Sequence, residues 1–274
     1  MKNKGLSIPY VVWMAVFVVA PLLLIVAYAF TSQSGGLTLA NFSNMHQYIP
    51  AFRHSFVLAV AATLICILIG YPLAYFLSKE SLMVRKVAMM LIMLPMWMNF
   101  LLRTYAWMSL LDDNGLINQA LNAVGLFGLL NRLFGTNLTC FHMINTRGAI
   151  VLGMVYNFLP FMIMPIFSVI DKIDPKVIEA AQDLGANNAM VFRKVVFPLS
   201  LPGVLSGVTM VFIPSVSTFA LSRLLGDLIE MQFLGNAYNP HLGSAIALVM
   251  MVIVLVCMAI MNRFGEGEEG VAVL

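Results

Sequence analysis

The 274 residues are 61% hydrophobic and only 10% charged, far below the roughly 25% charge of a soluble globular domain. Mean hydropathy is +0.93, which makes this an integral membrane chain and excludes a soluble enzyme. A net charge of +3, spread over short loops, excludes a nucleic-acid-binding surface.

Six apolar runs are long enough to cross a bilayer as helices. They span about 8–30, 55–78, 87–111, 148–170, 202–222 and 242–262. Continuous runs of this length are incompatible with the dyad alternation of a membrane barrel. The first run follows Lys2 and Lys4 and ends near Ala27-Tyr28-Ala29, which imitates a cleavage site. It exceeds the apolar core of a signal peptide (about 7–15 residues) and carries Pro21 in its middle, so it reads as a retained span. The third run holds Arg103. A charge at the centre of a bilayer costs about 3 kcal/mol or more. Arg103 lies toward the outer end of its span, so it reads either as snorkelling to the interface or as paired with an acid such as Asp112 or Asp113. The long segment from Asp112 to Arg147 contains an amphipathic stretch, Leu116 to Leu130. That stretch reads as a surface helix, an entrance lining or a solvated connector.

All seven lysines (Lys2, Lys4, Lys79, Lys86, Lys172, Lys176 and Lys194) fall on the side holding both termini and the 79–86 and 171–201 loops. By the positive-inside rule that side is cytoplasmic. Cys66 and Cys257 lie in spans and Cys140 stands alone outside, while four histidines are scattered over loops. No disulfide framework or metal-ligand spacing is present in the linear sequence.

The inner loop, 171–201, has its own grammar. Asp174 suits an N-cap and Pro175 the first helical position, predicting a helix from Pro175 to Leu184. Gly185 can take the left-handed conformation that ends it. Asn187 then caps a second short helix to about Val196, which Pro198 and Pro202 are expected to stop. Ile178, Ala181 and Gln182 share a face by helical spacing. From the residues alone, this is either a docking surface for another protein or an amphipathic helix resting on lipid headgroups.

Glu179-Ala180-Ala181, three residues, Gly185, nine residues and then Val195-Val196-Phe197-Pro198 resemble the Glu-Ala-Ala motif of ATP-binding cassette (ABC) importer permeases. Val195 and Phe197 replace the motif's isoleucine and leucine. The resemblance implies a coupling helix that docks into a groove on the ATPase, with Glu179, Ala180, Ala181 and Gly185 in contact and Pro198 completing the motif. Gly70-Tyr71-Pro72-Leu73-Ala74-Tyr75, Leu94-Pro95 with Asn99 and Arg103, Leu159 to Pro165, and Asp183-Leu184-Gly185-Ala186 resemble the subunit-B type of spermidine/putrescine permeases. The implied fold is an all-α integral membrane bundle of the type I importer kind, a single permease domain over 1–274 with six transmembrane helices.

The same resemblance implies an ABC ATPase subunit in two copies, a second homologous permease subunit, an extracytoplasmic substrate-binding protein and membrane lipid as partners. It implies no cofactor in this chain, ATP and Mg being bound by the ATPase, and a bacterial inner-membrane location. The chain lacks the Gly-x-x-x-x-Gly-Lys loop that would bind a nucleotide itself, and its spans hold no catalytic pair, so it is not expected to be an enzyme. A polyamine is a polycation, for which acids and aromatic faces are natural partners. Asp112, Asp113 and Asp227, with Glu230, sit near outer span ends; Tyr156, Asn157, Ser215, Ser217 and Thr218 lie in or near spans. For each, a loop charge or an interhelical hydrogen bond is the more common role of such a residue. Competing readings are an ABC permease for another small substrate, a secondary transporter or channel working without an ATPase, and a membrane scaffold.

Overall fold

A computed structural model describes residues 8–135, 137–144, 146–217, 225–235 and 238–265. Among them, five helices are long and apolar enough to cross a membrane. These are α1 (Ile8–Ala29), α2 (Ala40–Ser78), α7 (Arg147–Ile170), α9 (Asn188–Ser217) and α11, which runs Pro240–Gly265. Between them lie α3 (Leu82–Trp97), α4 (Phe100–Leu111), α5 (Leu116–Ala123), α6 (Leu126–Phe134), α8 (Pro175–Asp183) and α10 (Leu225–Leu234).

The expected continuous span over 87–111 is broken. α3 and the helix that follows it meet at 92°. Pro95 opens a single 3-10 turn, Leu94–Trp97, and Met98 and Asn99 are then extended, with ψ of 146° and 133°. The Asn99 side chain accepts a hydrogen bond from the Leu101 amide at 2.8 Å and starts α4 afresh. Proline removes a backbone donor and asparagine supplies a cap, and hydropathy alone conceals both because the flanking residues are apolar. The pair counts as a sixth span if taken together.

The second loop helix also departs from expectation. Pro198 and Pro202 do not stop it; the helix continues unbroken from Asn188 to Ser217. A π-turn, Phe192–Val196, widens it so that the Phe197 amide bonds the Phe192 carbonyl five residues back. Pro198 follows where the enlarged turn no longer demands a donor or crowds its ring. α1 repeats the device, with a π-turn over Ala15–Val19 just before Pro21. The stretch 116–130 forms two helices rather than one, because Gly125 is left-handed (φ 76°) between α5 and α6. Residues 218–222 of the expected fifth span, Thr218 included, lie outside the described residues.

The core is a three-helix contact of α2, α7 and α9. Met154, Met162, Ile163 and Ile166 of α7 are fully buried in it. Glycines set its spacing. A β-carbon on Gly207 would lie 2.8 Å from Met162 Sδ and 3.2 Å from the Met162 carbonyl oxygen; one on Gly203 would lie 2.8 Å from the Pro165 carbonyl oxygen. Gly70 of α2 faces the other side of Met162, where a β-carbon would stand 3.0 Å from Met162 Cγ. Gly203 and Gly207 are a Gly-x-x-x-Gly pair, which lets helix backbones approach in lipid, where no hydrophobic force drives helices together. α11 packs on α9, and α1 leans on α11.

Gly203→Leu is expected to destabilise the protein by about 1–3 kcal/mol, because its neighbours include backbone that cannot yield. Gly128→Ala, inside α6 where a β-carbon meets nothing within 4 Å, should not destabilise and should gain up to about 1 kcal/mol from helix propensity. Thermal unfolding of the purified protein in detergent reads both.

Candidate functional site: the α8 loop and the polar groups of the spans

α8 is capped as its local sequence predicts. The Asp174 carboxylate accepts from the Lys176 amide at 2.9 Å, and Pro175 fills the first turn. At the other end Gly185 has φ 85°. Its amide donates to the Gln182 carbonyl at 2.8 Å, and the Ala186 amide donates to the Ala181 carbonyl at 3.1 Å. This pair of bonds is the Schellman closure. A β-carbon at Gly185 would meet nothing within 4 Å, so backbone conformation, not space, requires glycine there. Asn187 caps the start of α9 by accepting from the Met190 amide at 2.8 Å.

The faces of α8 are not those expected. Ile178 and Ala181 point inward and pack on the main core, together with Ile173 and Ala186. Ala181 is therefore half-buried, while Glu179, Ala180, Gln182 and Gly185 are exposed. The outward apolar stripe is Val177, Ala180 and Leu184, at i, i+3 and i+7; Leu184 is 89% exposed. Val177 and Leu184 escaped the sequence reading, although their helical spacing could have marked them.

Behind α8 lies a cavity of about 270 Å³, lined in part by Tyr75, Lys79, Arg85, Asp171, Ile178 and Gln182. Arg85 ties its rim. The guanidinium forms an ion pair with Asp171 at the end of α7 and donates to the Ser78 carbonyl; its Nε donates to the Glu80 carbonyl at 2.7 Å. Lys79 Nζ sits 4.1 Å over the Tyr75 ring. An aromatic chain then runs into the bundle. Tyr75 meets Phe192 edge-on at 4.8 Å, and Tyr71 contacts Phe192 and Phe197 at 5.9 and 5.7 Å. The Tyr71 hydroxyl and Ser200 Oγ are 2.8 Å apart. The π-turn of α9 is thus held between α8 and α2.

The polar groups of the spans are dispersed. Arg103 is 9% exposed, and its Nε and Nη1 have no hydrogen-bond partner among the described residues. The expected pairing with Asp112 or Asp113 does not form. Asp112, nine residues on, caps the far end of α4, about 13 Å of rise away and on the opposite face; its carboxylate accepts from the Asp113 amide at 2.8 Å. Asp113 instead lies 2.9 Å from His142 Nδ1. Tyr156 is half-buried and meets Trp107 edge-on at 5.2 Å. Asn157 is 3% exposed, and its Oδ1 has no hydrogen-bond partner among the described residues. Ser215 and Ser217 bond back to their own helix, at the Val211 carbonyl (2.6 Å) and the Ile213 carbonyl (3.2 Å). Asp227 falls within α10, and its side chain, like that of Glu230, lies outside the described residues.

Known proteins resemble this chain over nearly its whole length. It is 33% identical over 267 residues to the spermidine/putrescine transport system permease protein PotB of Haemophilus influenzae, covering 92% of this chain and 90% of that one. The Escherichia coli PotB is 32% identical, covering 88% and 90%. The inner membrane ABC transporter permease protein YdcU of Escherichia coli is 29% identical, covering 84% and 76%. Among solved structures, a bacterial alginate ABC transporter in complex with its pentasaccharide-bound periplasmic protein has a chain of the same fold, with a TM-score of 0.75 at 16% identity, covering 94% and 92%. An inward-facing MetNI methionine ABC transporter has one with a TM-score of 0.60 at 15% identity, covering 82% and 97%. The family described as "Binding-protein-dependent transport system inner membrane component" matches residues 4–266. The chain therefore belongs to that family, and it is a permease subunit of an ABC importer.

Proposed function

We propose that this permease carries polyamines, spermidine or putrescine, and that α8 is the element through which a separate ATPase drives it. The outward stripe of Val177, Ala180 and Leu184, bounded by Glu179 and by the left-handed Gly185, is the observation that carries the coupling role. A large apolar side chain held 89% exposed on a loop invites a partner's pocket. The polyamine assignment is supported by the PotB relatives at 32–33% identity.

In this reading the α8 end of the bundle and both termini are cytoplasmic, in keeping with the distribution of the lysines. Two ATPase subunits bind ATP and Mg and close together, pulling on α8 of this chain and on its counterpart in a second, homologous permease. Each nucleotide state favours one global conformation, so the path between the two permeases opens alternately inward and outward. The Ile178–Ala181 face passes the pull to the core, and Tyr75, Phe192 and Tyr71 pass it to α2 and α9. A substrate-binding protein delivers the polyamine to the opposite end.

Asn157 and Ser215 are buried among this chain's own helices and serve packing. Tyr156, half-exposed beside Trp107, offers aromatic faces to an ammonium group. Arg103 would repel a polycation, so its acid partner comes from the second permease.

The assembled complex in nanodiscs should hydrolyse ATP faster when its binding protein is loaded with spermidine or putrescine. Stimulation by another ligand alone would keep the permease and discard the polyamine. Leu184→Asp should weaken ATPase association by about 2 kcal/mol, roughly thirtyfold. Gly185→Val should abolish stimulation while Gly185→Asn retains much of it, since asparagine tolerates the left-handed region.

Arg103→Ala should lower the yield of the two-permease complex, and Arg103→Lys should restore part of it. Normal yield with altered substrate preference would instead put Arg103 in the path. Tyr156→Ala should raise the transport KM about two- to thirtyfold, the range of a cation–π contact worth about 0.5–2 kcal/mol.

A further inference from the structure

At the end of the bundle opposite α8, the fold assembles a set of donors that the linear sequence keeps apart. Asp113 follows α4, and Cys140 and His142 lie in the segment leading to α7. A carboxylate oxygen, the thiol sulfur and an imidazole nitrogen of these three residues all lie within 4.8 Å of one another. We propose that they form a zinc(II) site.

The donor types choose the metal. A thiolate with an imidazole suits zinc, whereas magnesium and calcium require oxygen ligands throughout. Three protein ligands and a water complete a tetrahedron. Zinc–sulfur and zinc–nitrogen bonds of about 2.3 and 2.0 Å place tetrahedral donors about 3.3–3.8 Å apart. The side chains close on an ion by rotating through little more than an ångström. All three reach solvent, so an entry route exists: His142 and Asp113 have side chains 79% and 46% exposed, and Cys140 is half-buried.

The backbone beneath is already fixed. Asn118, only 4% exposed, uses one amide to hold both ligand-bearing segments. Its Nδ2 donates to the Asp112 carbonyl at 3.1 Å and to the Phe141 carbonyl at 3.0 Å, and its Oδ1 accepts from the Phe141 amide at 3.0 Å. Asp112 adjoins Asp113, and Phe141 stands between the other two ligands. The Phe141 ring packs inward on Phe127 at 5.2 Å, which leaves Cys140 and His142 to face Asp113. Asn131 clamps the same segment through both polar groups of the Leu138 backbone, at 2.8 and 3.0 Å. A bound ion would cross-link the turn after α4 to the approach of α7, on the face where a substrate-binding protein would dock.

The test is alkylation of Cys140 by a maleimide in the full-length chain, followed by mass spectrometry of the peptide that contains it, with Zn2+ titrated in. Micromolar Zn2+ is expected to slow the reaction, a chelator to restore it and Mg2+ to have no effect. His142→Ala and Asp113→Asn should each raise the half-protecting Zn2+ concentration by at least about tenfold, and His142→Gln replaces the first should it fail to fold. Reactivity indifferent to Zn2+, or equal protection in the variants, would overturn the site.

Discussion

The fold depends on how closely α7 can approach its two neighbours. Helices in lipid gain nothing from leaving water, so dispersion contacts and the few polar bonds between them must hold the bundle. Met162 lies where three backbones converge, flanked by Gly70 on α2 and by Gly207 on α9, while Gly203 sits against Pro165 and Ile166. Two of those glycines abut carbonyl oxygens directly. The core around this point continues without interruption to Ile178 and Ala181 of α8. The loop outside the bundle is therefore packed onto the same unit as its interior.

That continuity gives the permease its mechanical character. α8 does not hang from a flexible tether. It is closed at one end by the Asp174 carboxylate and at the other by the Gly185 turn, and its inner face is part of the core. Arg85 joins the end of α7 to the end of α2 beside it. In the proposed coupling role, a pull on α8 would be a pull on α2, α7 and α9 together, because its inner face packs on their shared core. The two π-turns occur where prolines would otherwise break a helix, so α9 reaches from loop to membrane without a joint.

What could be read in advance was what local chemistry dictates. Asp174, Pro175, Gly185 and Asn187 take the cap positions their side chains suit, because capping depends on only a few neighbouring residues. The long apolar helices follow from composition. Helical spacing could have grouped Val177, Ala180 and Leu184 as one stripe, but it does not say which face meets the core, so the inward turn of Ala181 was hidden. The pairing of Arg103 with a nearby acid failed on helix geometry, which sequence distance disguises. The meeting of Asp113 with Cys140 and His142 depends on Asn118 joining two loops, and no linear spacing encodes it. The close approach of Gly207 to Met162 and of Gly203 to Pro165 arises only in three dimensions.

The break between α3 and α4 has a consequence for the chain on its own. Met98 and Asn99 are extended at the middle of a stretch whose length and apolarity match a membrane crossing, and Trp97 beside them is 88% exposed. Hydrocarbon cannot satisfy non-helical backbone, which persists at that depth only under protein or beside a water-filled cavity. An orphan copy of this subunit presents an unfinished wall to the bilayer. The bend therefore marks a stretch of this chain's surface that a protein neighbour or a water-filled path has to cover.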